Sequence, residues 1–140
     1  MESIVWLFAI VSSALMFGLV CCVQALNYPL FLKVPRESFG EYHSLHLRNA
    51  GLLIAPAMMI ELLSAGALFF IETSWIFQLV NLGGLSIVWI STFFVQVPLH
   101  KRLEQAWEKE AATKLIKTNW IRTLAWSFRF IFMIFWFLEI

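Results

Sequence analysis

Apolar residues run almost unbroken through four stretches of the chain, at about 4–26, 50–71, 75–98 and 119–139, and the polar residues gather between them. A helix needs about 20 mostly apolar residues to cross the ~30 Å hydrocarbon layer of a bilayer. Each stretch meets that length, so the pattern predicts an integral membrane protein, all-α, folded as an up-and-down four-helix bundle. With their polar extensions the helices are expected at about 4–26, 41–71, 75–100 and 117–139, joined by connections at 27–40 and 101–116 in a single transmembrane domain over 1–140. Almost nothing is left for a separate soluble domain.

Local signals set the expected boundaries. Helix one should end near Gln24-Ala25, because Asn27-Tyr28-Pro29 disfavours continuation and the residue before a proline is pushed out of the helical region. The connection that follows holds Tyr28, Leu30, Phe31, Leu32, Val34 and Phe39, too apolar for a freely solvated loop, and is expected to lie along the interface or fold back over the bundle. Ser38 and Glu41 have capping-box spacing, which would start helix two well before the hydrocarbon and place His43 and His46 on its first turns. Pro56 predicts a kink in that helix. The Glu72-Thr73-Ser74 turn is short enough to force an antiparallel hairpin between helices two and three. Gly83-Gly84 allows a neighbouring backbone to approach helix three closely. From Lys101 to Lys117 the chain reads as a charged helical extension, with Glu110 four residues before Lys114.

Composition agrees with the pattern: 61% of residues are hydrophobic, 16% aromatic, and the mean hydropathy is +0.79. Charge adds an orientation. Lys33, Arg36 and Arg48 flank the first connection, and Lys101, Arg102, Lys109, Lys114, Lys117 and Arg122 flank the third, whereas the short second turn and the two ends carry none. The positive-inside rule then makes both connections cytoplasmic and both termini external, as in a multi-pass protein of a bacterial-type inner (plasma) membrane. Met1-Glu2-Ser3 supplies no basic n-region, so the first stretch is read as a retained helix rather than a signal peptide. Cys21-Cys22 is read as a pair of reduced packing residues. A net charge of +1 gives no reason to expect nucleic acid as a partner. The chain lacks a phosphate-binding glycine loop and a nucleophile elbow, and it contains no aspartate to complete a Ser/His/Asp set.

Ionisable residues inside hydrocarbon are expensive and usually face the bundle interior. Glu61 and Arg129 are of this kind. Counted from the cytoplasmic mouths, they lie ~20 Å and ~15 Å deep at about 1.5 Å per residue. They are candidates for a buried ion pair between helices two and four, or for a proton relay or ligand site. His43 and Glu61 are eighteen residues apart, a whole number of helical turns, so they share a face. Thr92, Gln96 and His100 follow a four-residue spacing on helix three, and Arg122 and Arg129 share a face of helix four with Asn119 and Trp126 nearby.

A constellation is therefore expected at the cytoplasmic mouth. It comprises His43 and His46, His100 and Gln96, Asn119 and Arg122, with Gln24 and Tyr28 from helix one, and Trp120 as interfacial anchor or ligand contact. His43, His100, Arg122 and Asn119 are the candidate catalytic groups. The His-x-x-His spacing leaves three readings open: polar boundary residues, ligands of a transition metal together with His100, or haem-binding or proton-transfer groups. Three imidazoles would suit Zn, Cu or Fe.

At Tyr28-Pro29-Leu30-Phe31, His43-Ser44-Leu45-His46, Val97-Pro98-Leu99-His100 and Asn119-Trp120-Ile121-Arg122-Thr123 the chain resembles small four-helix bacterial membrane proteins of unknown function. It is also distantly similar to the anthrone-oxygenase-like membrane family, in which a Val-Pro stretch ending in Asn or His closes helix three and a Trp/Asn/Arg stretch opens helix four; Trp107 lies upstream of the first slot of that second motif. This resemblance implies oxygen-dependent oxidation of a small aromatic or apolar molecule in a site built from His43, His100, Asn119 and Arg122. The segment from Arg48 through Pro56-Ala57-Met58 to Gly66 resembles helix two of the haem-binding protoporphyrinogen oxidase membrane family, although helix one lacks the histidine that family places there. Two functions are thus expected. One is an oxidoreductase-like small-molecule site open to the cytoplasmic side; the other is a non-enzymatic accessory or oligomer-forming subunit of a larger membrane complex, binding protein, lipid or pigment.

Overall fold

A computed structural model describes residues 2–139, and all the regular structure among them is helical. Four helices account for it: α1 (Glu2–Leu30), α2 (Arg36–Ile71), α3 (Trp75–Gln105) and α4 (Lys109–Glu139), each long and apolar enough to cross a membrane. Three buried clusters fix their relative directions. At one end Trp6 and Ala9 of α1 pack with Leu68 of α2, Phe77 of α3 and Met133 of α4. At the other, Tyr28 meets Phe39, Leu99 and Leu115. Consecutive helices therefore run antiparallel, and Met16, Ala57, Met58, Val88 and Trp126 fill the middle. The outer surface is apolar too, with Phe70, Phe94 and Leu138 more than 70% exposed.

Helix one does not end near Gln24. It continues to Leu30 through a π-helical turn at Val23–Asn27, in which the Tyr28 N–H reaches back five residues to the Val23 carbonyl. Pro29 lacks an N–H and its ring would crowd the carbonyl four residues back. The wider turn accommodates that ring without stopping the helix. Helix three repeats the device: Thr92–Gln96 is π-helical, Val97 N–H bonds to Thr92 O, and Pro98 follows. Helix two runs unbroken through Pro56.

Both connections at the basic end are shorter than 27–40 and 101–116, because their flanks are wound into helix. They occupy only 31–35 and 106–108. Helix two starts at Arg36 with Pro35 at its N-cap (φ −53°, ψ 143°), so Ser38 lies within the first turn and does not cap it. Phe31 folds back and is fully buried, and Trp107 donates to its carbonyl (3.4 Å). The charged extension of the third connection is helical except at 106–108, where the extended backbone of Ala106 separates α3 from α4.

Candidate functional site

Each π-helical turn contains one residue more than an α-turn, and one residue is about 100° of rotation at 3.6 residues per turn. The insertions therefore re-aim the residues that follow them, Tyr28 on α1 and His100 on α3, relative to regular helices. These two side chains meet: Tyr28 Oη lies 3.0 Å from His100 Nε2. His100 Nδ1 lies 3.0 Å from Nε2 of His43, brought by the third turn of α2. Phe39 stacks on His43, and Phe31 sets its edge against His43, His46 and His100, so the three imidazoles share one aromatic enclosure.

A neutral imidazole has one N–H and one lone pair. The Tyr28–His100–His43 chain therefore has two complete arrangements. In one, Tyr28 donates to His100 and His100 donates to His43. In the other, His43 donates to His100, His100 donates to the phenol oxygen, and the Tyr28 proton is free for another acceptor. Passage from the first arrangement to the second needs one proton to enter at the phenol from the cavity side and one to leave from His43 Nδ1 at the other end; with both exchanges complete every member is neutral again. Exposed Glu104 lies within electrostatic reach of the His43 end.

The Tyr28 end opens on a cavity of about 450 Å³ between α1, α2 and α3, with Arg122 of α4 at its floor. Its walls are apolar, with Met16 and Val20 on α1, Ile54 and Met58 on α2 and Phe93 on α3; His46, His100, Tyr28 and Arg122 make its polar end. Three of its lining residues have buried polar atoms without a partner: Arg122 Nε, Trp89 Nε1 and Thr92 Oγ1. Buried polar atoms are normally satisfied, and three of the six orphans among the described residues belong to residues that border this cavity. A second recess of about 280 Å³ between α1 and α2 shares His46, Ala50 and Ile54 with it.

The remaining expected residues divide into two groups. Gln24, Asn119, Gln96 and Thr118 form a neighbouring polar link: Asn119 Nδ2 donates to Gln24 Oε1 (2.9 Å) and Gln96 Nε2 to Thr118 Oγ1 (3.1 Å). Asn119 and Gln96 thus lie beside the cavity rather than in its lining, and the Thr92/Gln96/His100 stripe is divided by the π-helical turn. Trp120 is half exposed on the outer surface. Glu61 and Arg129 do meet, deeper in the bundle. Arg129 also donates to Ser13 Oγ (2.5 Å) and to Asn81 Oδ1 (3.0 and 2.8 Å), while Trp126 Nε1 donates to Glu61 Oε2 (2.9 Å). All four helices contribute to this fully buried knot. Gly84 packs against it: a Cβ there would lie in contact with the Arg129 side chain, 3.4 Å from its Cδ. Ser13 and Asn81 had escaped the sequence reading, although polar residues inside apolar helices are their only available signal.

The geometry does not bring the three histidines together as ligands of one metal ion. His43 and His100 point ring nitrogens at each other, stacked with centroids 5.2 Å apart, whereas metal ligands aim their lone pairs at a common point about 2 Å from each nitrogen. Among the described residues no group of three or more His, Cys, Asp or Glu side chains is disposed to hold a metal ion.

Fold and site define an all-helical protein with four helices of membrane-crossing length and a polar-ended cavity among them. Compared with protein-family models, with curated proteins and with solved structures, the chain matches none.

Proposed function

We propose that this chain is a four-span membrane protein, its basic connections cytoplasmic and its ends external, that binds a small molecule between α1, α2 and α3 and exchanges protons with it through Tyr28, His100 and His43. The observation that carries the reading is a cavity that brings Arg122, a buried cation with no carboxylate partner among the described residues, beside the end of a hydrogen-bonded phenol–imidazole chain. A molecule with an apolar body and a hydrogen-bonding head would match its apolar walls and its polar end. Its head would also lie next to Tyr28, where the chain delivers or removes a proton, and His43 would connect that end to the cytoplasmic edge. The distribution of Lys and Arg supports the orientation.

Protein extracted from its own membranes in a mild detergent should retain a bound small molecule visible by native mass spectrometry. The double substitution His43→Ala with His100→Ala should lose that molecule and keep its helical circular dichroism. An empty wild-type protein, with variants that unfold instead, would assign these histidines to holding the bundle together and would reject the site.

A further inference from the structure

We propose that the ligand of this cavity is a single-chain acid, dissolved in the lipid phase, whose carboxylate docks on Arg122 and whose tail passes sideways between α2 and α3. The inference rests on the small-molecule reading above and names its ligand class. Arg122 carries a guanidinium that stays protonated at any biological pH. The residue is only 6% exposed and its Nε has no partner. The Trp126 ring lies 5.2 Å from the guanidinium carbon, but an aromatic face offers no acceptor in the plane of the N–H groups. Among the described residues Arg122 has no carboxylate partner, and Glu61, the buried acid, is committed to Arg129. A buried cation without a counter-charge is strongly disfavoured. A head that answers a guanidinium must be negative and rich in acceptors, which describes a carboxylate.

The mouth of the cavity identifies the phase the ligand comes from. Gly51, Ala55 and Met59 are spaced four apart on α2, Phe93 and Val97 four apart on α3, and all five line the cavity while being exposed on the outer surface. Residues four apart lie one above another along an α-helix, as Gly51, Ala55 and Met59 do on α2, and with Phe93 and Val97 bordering the cavity from α3 the mouth is a slot between the two helices. An apolar slot on an apolar flank admits a molecule from lipid rather than from water. About 450 Å³ lies in the range of small-ligand sites, which favours one chain over the two of a diacyl lipid.

Dodecanoate, dodecanol and dodecyltrimethylammonium share a tail and differ in head charge. Each should be titrated into the full-length protein in zwitterionic nanodiscs, with binding read by native mass spectrometry. The expected result is a preference of about tenfold or more for dodecanoate over dodecanol, with no binding of the cation. Arg122→Gln should bring dodecanoate down to the level of dodecanol, and Arg122→Lys should keep part of the preference. Gly51→Phe, at a position with open space around it, should obstruct the slot and weaken dodecanoate binding with Arg122 intact. Equal binding of acid and alcohol, indifferent to Arg122→Gln, would overturn the acid assignment and leave the small-molecule site standing. Displacement of dodecanoate by phosphatidylglycerol in the nanodisc would overturn the single-chain assignment in favour of a lipid headgroup. Failure of all three probes, in a protein that carries nothing from its own membrane, would overturn both readings.

Discussion

Glu61 and Arg129 are withdrawn entirely from solvent, and every helix sends a group to meet them. Removing one partner of such a pair leaves the other as an uncompensated buried charge, whereas removing both substitutes apolar packing for the whole. Glu61→Gln or Arg129→Met alone should therefore destabilise the bundle by about 3–5 kcal/mol, and the double change Glu61→Met with Arg129→Met should recover most of that loss. Unfolding in mixed micelles, followed by tryptophan fluorescence, measures both. A single-variant loss below about 1 kcal/mol would show that the pair is not the lock its geometry describes. Arg122 differs at this same scale. It is nearly as buried yet lacks a carboxylate, and that contrast between two arginines of one helix face separates the lock from the site.

Helix identity was legible because a span must satisfy its backbone internally and therefore needs a long apolar run, which this chain writes four times. The hairpin between α2 and α3 was legible from the length of its turn. The ends at the basic side were not. Pro29 is a stop signal by local rules, yet the π-helical turn before it carries α1 on to Leu30, and nothing in a single sequence distinguishes the two outcomes. The same turns decide rotation, which is why the grouping of the candidate residues could not be read from spacing alone: His46, His100, Tyr28 and Arg122 line the cavity, His43 is bonded to His100 behind it, Asn119 and Gln96 face neighbouring links, and Trp120 points outward. Trp89 and Thr92 matter through lacking partners, a property that exists only once the helices are packed.

Pro98→Ala tests the π-helical turn as a device. Alanine restores the N–H that can bond to the carbonyl of Phe94, so the segment Thr92–Gln96 can close into regular α-helix. The rotation this brings, about 100° for one residue of register, should part His100 from Tyr28 and His43. Ligand retention should fall while helicity holds or rises, and Pro56→Ala, in the regular part of α2, should retain the ligand. Equal retention in both variants would show that the turn does not aim the site.

Seen whole, the molecule keeps its polar groups in a column along the bundle axis and presents apolar side chains outward, the reverse of the arrangement water selects. The lock lies deep in that column, the phenol–imidazole chain lies at the basic end, and the cavity opens from the column toward the flank between α2 and α3. Of the two buried arginines, Arg129 is paired with Glu61 and Arg122 has no carboxylate partner among the described residues, and the proposed function puts the ligand at Arg122. The direct test is a crystal structure of the protein purified with its native lipids and grown from a lipid mesophase. The account predicts elongated density filling the cavity, its head within hydrogen-bond distance of the Arg122 guanidinium and its tail between Gly51 and Phe93. A cavity closed by side chains, with Arg122 paired to a residue of this chain, would contradict it.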